Sequence, residues 1–180
     1  TGALKAAILL NTEPEFDTAA GQQAVAGLNQ AQMIVTLSPF KANMAISDVL
    51  LPISPFTETS GSFVNAEGRA QSFHAVVKPL ADTRPGWKVL RVLGNLLQLQ
   101  GFDAESSQDV LAGLGLEQRE EGAFAARLDN STDAAITVAK ADGRPAVASI
   151  YQLDSLVRRA PALQATADAR AAASTQGVSA

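Results

Sequence analysis

The sequence predicts an α/β fold: a partial parallel sheet with flanking helices, followed by a β-hairpin. Three observations predict it. LKAAILL (4–10) and MIVTL (33–37) are apolar runs of strand length, which suit strands covered on both faces as in parallel sheets. A helical pattern lies between them, so strand, helix and strand form a crossover unit of expected right hand. NAEGR (65–69) carries the residues of a tight hairpin turn.

The elements follow in order. NTEPEFD (11–17) reads as a loop, and TAAGQQAVAGLNQ (18–30) as a helix with Ala20, Val25 and Leu28 toward one side. Asp17 or Thr18 is positioned to cap it. DVLLP (48–52) is a third strand, ended by Pro52 because proline cannot continue a central ladder. The loops NTEP, SPF and PISPF then fall at the carboxyl ends of the strands, where open α/β sheets bind ligands. WKVLRVLGNLLQLQG (87–101) predicts a largely buried helix, with one polar stripe of Lys88, Arg91, Asn95 and Gln98 and a terminator at Gly101. SSQDVLAGLG (106–115) predicts a short helix with Ser106 and Asp109 at capping-box spacing. AAITVAK (134–140) and PAVASIY (145–151) are either two strands about the Asp142-Gly143 turn or a surface excursion. LDSLVRRAPALQAT (153–166) reads as a short turn or helix broken at Pro161, and the small, polar end as a flexible tail or linker.

Composition narrows the function. The chain has 180 residues and a net charge of −4, against the basic face that nucleic-acid binding needs. With no cysteine there are no disulfides, no thiol catalysis and no thiolate-held zinc or iron–sulphur cluster. His74 is the single histidine, so a histidine-rich metal site is excluded, and no loop has the acidic alternation of an EF-hand. No apolar run is long enough to span a bilayer or to form the core of a signal peptide, so no direct membrane insertion is expected. The opening at Thr1-Gly2, directly before a strand, suggests a piece of something larger.

The candidate functional residues cluster in ETSGSFVNAEGRAQSF (58–73). A three-residue loop, Ala66-Glu67-Gly68, puts Gly68 at the left-handed position and pairs Asn65 with Arg69, Val64 with Ala70 and Phe63 with Gln71. Alternation then sets Phe63, Asn65, Arg69, Gln71 and Phe73 on one face and Ser62, Val64, Ala70 and Ser72 on the other. Glu58 and Glu67 are candidates for an acid/base pair. The favoured reading has Glu58 bonding backbone amides and Glu67 exposed at the turn. His74 is expected half-buried and hydrogen-bonded, and Trp87 is expected to anchor packing. Arg158 and Arg159 are either partners of carboxylates on an adjoining domain or subunit, or a solvated pair.

The stretch SDVLLPISPFTETSGSFVNAEGRAQSF (47–73) resembles the molybdopterin-dependent oxidoreductases. Asp48, Val49, Leu50, Leu51, Pro52, Glu58, Gly61, Phe63, Asn65, Glu67, Gly68, Arg69 and Gln71 fill that family's pattern in order and spacing. With VVKPLADTRPGWKVLRVLGNLLQLQGF (76–102) and IYQLDSLVRRAPALQAT (150–166), the chain is most similar to the large iron–sulphur subunit of bacterial NADH:quinone oxidoreductase, respiratory complex I. The resemblance implies a Rossmann-like α/β portion of a molybdopterin oxidoreductase-like domain over residues 1–116; the residues beyond it read as an irregular or extended connection with a possible hairpin over 117–164 and a flexible tail or linker over 165–180. It further implies a non-catalytic scaffold without a cofactor or metal of its own, the iron–sulphur clusters lying elsewhere in the parent subunit. Asn65, Glu67, Gly68, Arg69 and Gln71 would be vestiges of a pterin-binding region. The implied partners are the rest of the same subunit and other subunits of the cytoplasmic peripheral arm. The alternative is a fragment of an active molybdopterin enzyme of formate dehydrogenase or nitrate reductase type.

Overall fold

The computed structural model describes residues 4–66, 69–115, 135 and 149–176. The chain folds as two compact units, and the division cuts across the order of the sequence. One gathers Thr1–Lys5 and Thr12–Gln32 with the carboxy-terminal segment Thr137–Ala180, and the other holds Ala6–Asn11 and Met33–Ile136.

The second unit is built on a parallel sheet of β1 (Ala6–Leu10), β2 (Met33–Ser38) and β3 (Val49–Pro52), in that spatial order. Ala6 pairs with Met33 and Leu10 with Leu37, while Val35 pairs with Val49 and Ser38 with Pro52. β1 and β3 fall within the expected segments, and β2 runs one residue past its own, through Ser38. Only the central strand is buried along most of its length, with Ile34, Thr36, Leu37 and Ser38 all inside. β1 alternates instead: Ile8 and Leu10 are exposed between half-buried neighbours. The expectation of two covered faces therefore fails for β1, because it is an edge strand here. Burying polar Thr36 is possible because its hydroxyl lies 2.7 Å from that of Ser47 and accepts from Asn43 Nδ2 at 3.3 Å. Asp48 leads into β3 by giving its amide to the Ile34 carbonyl at 2.9 Å and taking the Ile34 amide on Oδ2 at 2.7 Å.

Past Pro52 the ladder shifts to a new partner. Ile53, 1% exposed, bridges Arg84, and the Ser54 amide donates to the Arg84 carbonyl at 2.8 Å. The hairpin of β4 (Gly61–Val64) and β5 (Ala70–Phe73) follows, then helices α3 (Gly86–Leu96) and α4 (Ser107–Gly113). α4 carries the expected capping box: Ser106 Oγ accepts from the Asp109 amide at 3.1 Å, and Asp109 Oδ2 accepts from the Ser106 amide at 2.9 Å. The Glu105 amide also bonds Asp109, and with the Ser106 hydroxyl and amide it holds the carboxyl below the usual aspartate range.

α3 departs from expectation twice. Val92, Leu96, Leu97 and Leu99 are exposed, so the helix is not largely buried. It buries one side only, where Gly94 meets the Phe102 ring. It also ends before Gly101. Leu97 is the C-cap, Gln98 turns left-handed at φ +57, and the Leu99 amide donates to the Gly94 carbonyl at 2.9 Å. This is a Schellman stop with glutamine in the glycine position.

In the first unit, part of the expected loop is a four-residue helix, α1 (Pro14–Asp17), with Pro14 at its first position and Asp17 Oδ2 accepting the Glu13 amide at 2.7 Å. Asp17 is thus spent on its own helix and does not cap the next. Helix α2 (Gln22–Leu28) begins after Gly21, whose amide donates to Thr18 Oγ at 3.1 Å. The end of PAVASIY is helical: α5 (Ile150–Leu153) starts at Ser149. Two further single turns follow, α6 (Ser155–Arg158), capped by Asp154, and α7 (Pro161–Gln164), opened by Pro161. Gln164 Nε2 holds them together through the carbonyls of Tyr151 at 3.0 Å and Val157 at 2.8 Å. Where the composition suggests a tail, residues Ala167–Gln176 form helix α8 and Ala169 is buried. Alanine is the best helix former, and here that preference prevails over the flexibility that small polar residues suggest. The charged stretch 117–130, the segment AAITVAK apart from Ala135, and the turn residues Glu67 and Gly68 lie outside the described residues.

Candidate functional site

The hairpin has the expected register residue for residue. Gly61 pairs with Phe73, Ser62 with Ser72, Phe63 with Gln71 and Val64 with Ala70. The two faces separate accordingly. On one, the Ser62 and Ser72 hydroxyls meet at 2.8 Å. On the other, Phe63 and Phe73 stack at 4.9 Å between centroids, and Phe56 meets Phe63 edge-on at 6.3 Å. The Phe73 ring lies over Gly61, so close that a Cβ there would sit 2.9 Å from its Cζ. Asn65 closes the hairpin end: its amide donates to the Arg69 carbonyl at 3.1 Å, and its Oδ1 accepts the Arg69 amide at 2.9 Å. Asn65, Arg69 and Gln71 are exposed.

The structure places a cleft of about 430 Å³ at the carboxyl ends of β1 and β3, within the second unit. Leu10 enters from the end of β1 and Asn11 from NTEP, and Ile53, Ser54 and Phe56 from PISPF; the SPF loop does not contribute. Phe63 and Phe73 of the hairpin form one wall. Trp87 and Leu90 of α3, with Val110, Leu111 and Leu114 near α4, form another. Asn11 holds a left-handed backbone at φ +50 beside this cleft, and its amide donates to the Leu37 carbonyl at 3.0 Å. Asparagine is among the few residues that tolerate that geometry.

Of the sequence-predicted residues, the two phenylalanines face this cleft and Asn65, Arg69 and Gln71 do not line it. The cleft is therefore aromatic and aliphatic, with the hydroxyls of Ser54, Thr59, Ser60, Ser62 and Ser107 as its polar side chains besides Asn11. Among the described residues no charged side chain lines it. Trp87 and Phe56 carry more of it than the sequence suggested; position at strand ends was the available signal. Glu58 Oε2 accepts the Leu80 amide at 2.9 Å and is thereby tied to backbone. His74 is exposed, contrary to the half-buried expectation, because it follows the last residue of the edge strand β5. No group of three metal-ligating side chains occurs among the described residues, and none of their helices is long and apolar enough to cross a membrane.

Arg158 and Arg159 take neither expected role. Both bind carboxylates of the same unit of the same chain: Arg158 Nη2 reaches Glu13 Oε1 at 3.0 Å, Arg158 Nη1 reaches Asp17 Oδ1 at 3.0 Å, and Arg159 Nη1 reaches Glu13 Oε1 at 2.7 Å. The Arg158 guanidinium also lies 4.8 Å from the centroid of the Phe16 ring. Burial pushes the Glu13 carboxyl up, but the hydrogen bonds from Arg159 and Arg158 outweigh it and leave it below the usual glutamate range.

A parallel sheet with a cleft at its strand carboxyl ends defines an α/β architecture, with the cleft where open sheets of this kind place their sites. The family model for molybdopterin oxidoreductase matches residues 1–96, more than half of the 180, and the chain belongs to that family. Among curated proteins it is similar to the "Putative formate dehydrogenase" of Staphylococcus aureus strain USA300, with 42% identity over 57 residues, 32% of this chain and 6% of that protein. The counterparts from strains NCTC 8325 and Mu50 match with the same identity and coverage. The match thus spans about 6% of the length of these relatives.

Proposed function

We propose that the chain is a non-catalytic structural portion of the large iron–sulphur subunit of an NADH:quinone oxidoreductase, contributing fold and packing to the peripheral arm. The observation that carries this is the lining of the cleft. A molybdopterin dinucleotide brings a pyrophosphate, which folds of this type hold with cations or with amides at a helix start. Among the described residues the lining offers aromatic rings, hydroxyls and the first residues of α3 and α4, Gly86 and Ser107, but no cation. Residues 150–166, which carry the resemblance to that subunit, fold against Glu13 and Asp17 of the same unit.

A second reading is a portion of an active molybdopterin enzyme of formate dehydrogenase type. The 42% identity over 57 residues to proteins of that name favours it. The test is to purify the full-length parent protein, measure molybdenum and tungsten by mass spectrometry, and look for pterin fluorescence after oxidation. The scaffold reading expects neither metal nor pterin. Either metal near one atom per chain, with pterin, overturns it and establishes the second.

A further inference from the structure

The face of α3 turned away from the cleft carries a second, separate groove of about 550 Å³. Its floor is apolar: Leu51 from β3, with Val89, Val92, Leu93 and Leu96 from the helix. Val92 is 56% exposed and Leu96 77%. A helix face of this kind left open marks an interaction surface. Arg84, Lys88 and Arg91 stand around it with a single acid, Glu105, although the chain as a whole is acidic at −4. Arg91 Nε is buried without a hydrogen-bond acceptor, and no ion pair of Arg91 occurs among the described residues. Buried donors in finished structures are almost always satisfied, so an acceptor is expected to arrive from outside.

We propose that this groove docks an acidic amphipathic helix carried by another part of the full-length polypeptide, its apolar stripe on Val92 and Leu96 and its carboxylates on Arg84, Lys88 and Arg91. This rests on the chain being a portion of a longer subunit. Charge complementarity selects the occupant. A second copy packed face to face would set the three cations against their own images, since a two-fold contact is self-complementary. A segment tethered in the same polypeptide also has a high effective concentration at the groove.

The test places a photo-crosslinking residue, p-benzoylphenylalanine, at Val92 or at Leu96 of the full-length protein, followed by peptide mapping. The expected result is an intramolecular crosslink to an apolar segment with Asp or Glu within one helical turn of the attachment. Reversing Lys88→Glu and Arg91→Glu together should lower its yield roughly tenfold or more. A crosslink to a second copy or to a separate subunit, attachment to a segment without acids, no crosslink at either position, or a yield indifferent to charge reversal would each overturn the proposal. Metal and pterin content of the same preparation reports separately on the functional reading.

Discussion

Gln98 occupies a backbone position that suits another residue. It holds φ +57 at the stop of α3, its amide donates to the Asn95 carbonyl at 3.0 Å, and its side chain is exposed. A left-handed residue with a Cβ costs about 1–2 kcal/mol, part of which glycine returns through its freer unfolded chain. Gln98→Gly should therefore stabilise the protein by about 0.5–1 kcal/mol, and Gln98→Val should destabilise it by a similar amount. The urea midpoints of the two variants and the parent check this: the order glycine, glutamine, valine is the expected result. At this scale Gln98 was illegible in the sequence, where Gly101 is the better terminator by composition. The stop is decided by where Phe102 packs, and local preference does not report that.

At the scale of elements, Gly94 shows how α3 meets the chain that follows it. A Cβ built there would sit 2.3 Å from Phe102 Cδ1, with the rest of the ring close behind. On an open helix, Gly→Ala gains about 1 kcal/mol. Here the ring must leave, and overpacking costs about 1–3 kcal/mol. Gly94→Ala is expected to destabilise by up to about 2 kcal/mol, and to become neutral or stabilising when introduced beside Phe102→Ala. A double-mutant cycle by urea denaturation reads that change of sign. Elements set by neighbours in sequence were legible: the hairpin register of residues 61–64 on 70–73, and the Ser106–Asp109 box, follow from alternation and from cap chemistry. Helix α8 was not, because alanine-rich and small-polar descriptions of residues 167–176 compete, and packing of Ala169 decides between them. The cleft was legible as a place, at strand ends, but its aromatic lining was not, since Phe56 and Trp87 come together only through the fold.

At the scale of the whole molecule, one cluster joins the two ends of the chain. Glu13 accepts from Arg158 and Arg159, 145 and 146 residues away, and Asp17 accepts from Arg158 across 141. No periodicity in a sequence announces such a pair, which is why the two arginines read equally well as solvated. Arg158 is 6% exposed in its side chain and Glu13 13%, so removing one partner strands a poorly solvated charge on the other. Arg159 remains to hold Glu13, which moderates the loss. Arg158→Ala should thus weaken the local fold of α6 by about 2 kcal/mol, roughly a 30-fold faster opening. Hydrogen exchange at the Arg159 amide, which donates to the Leu156 carbonyl at 3.1 Å, measures it. The cluster also predicts the direction of a pH response. The folded Glu13 carboxyl sits below its usual range, so the folded state binds its proton less readily than the unfolded state. Its contribution is fully present above the usual glutamate range and is lost as pH falls through the lowered folded value. Protection at Arg159 should therefore decline on acidification in the parent chain, and Glu13→Gln should show low protection with most of that decline removed. An acid response of unchanged size in Glu13→Gln would assign the titration to another carboxylate.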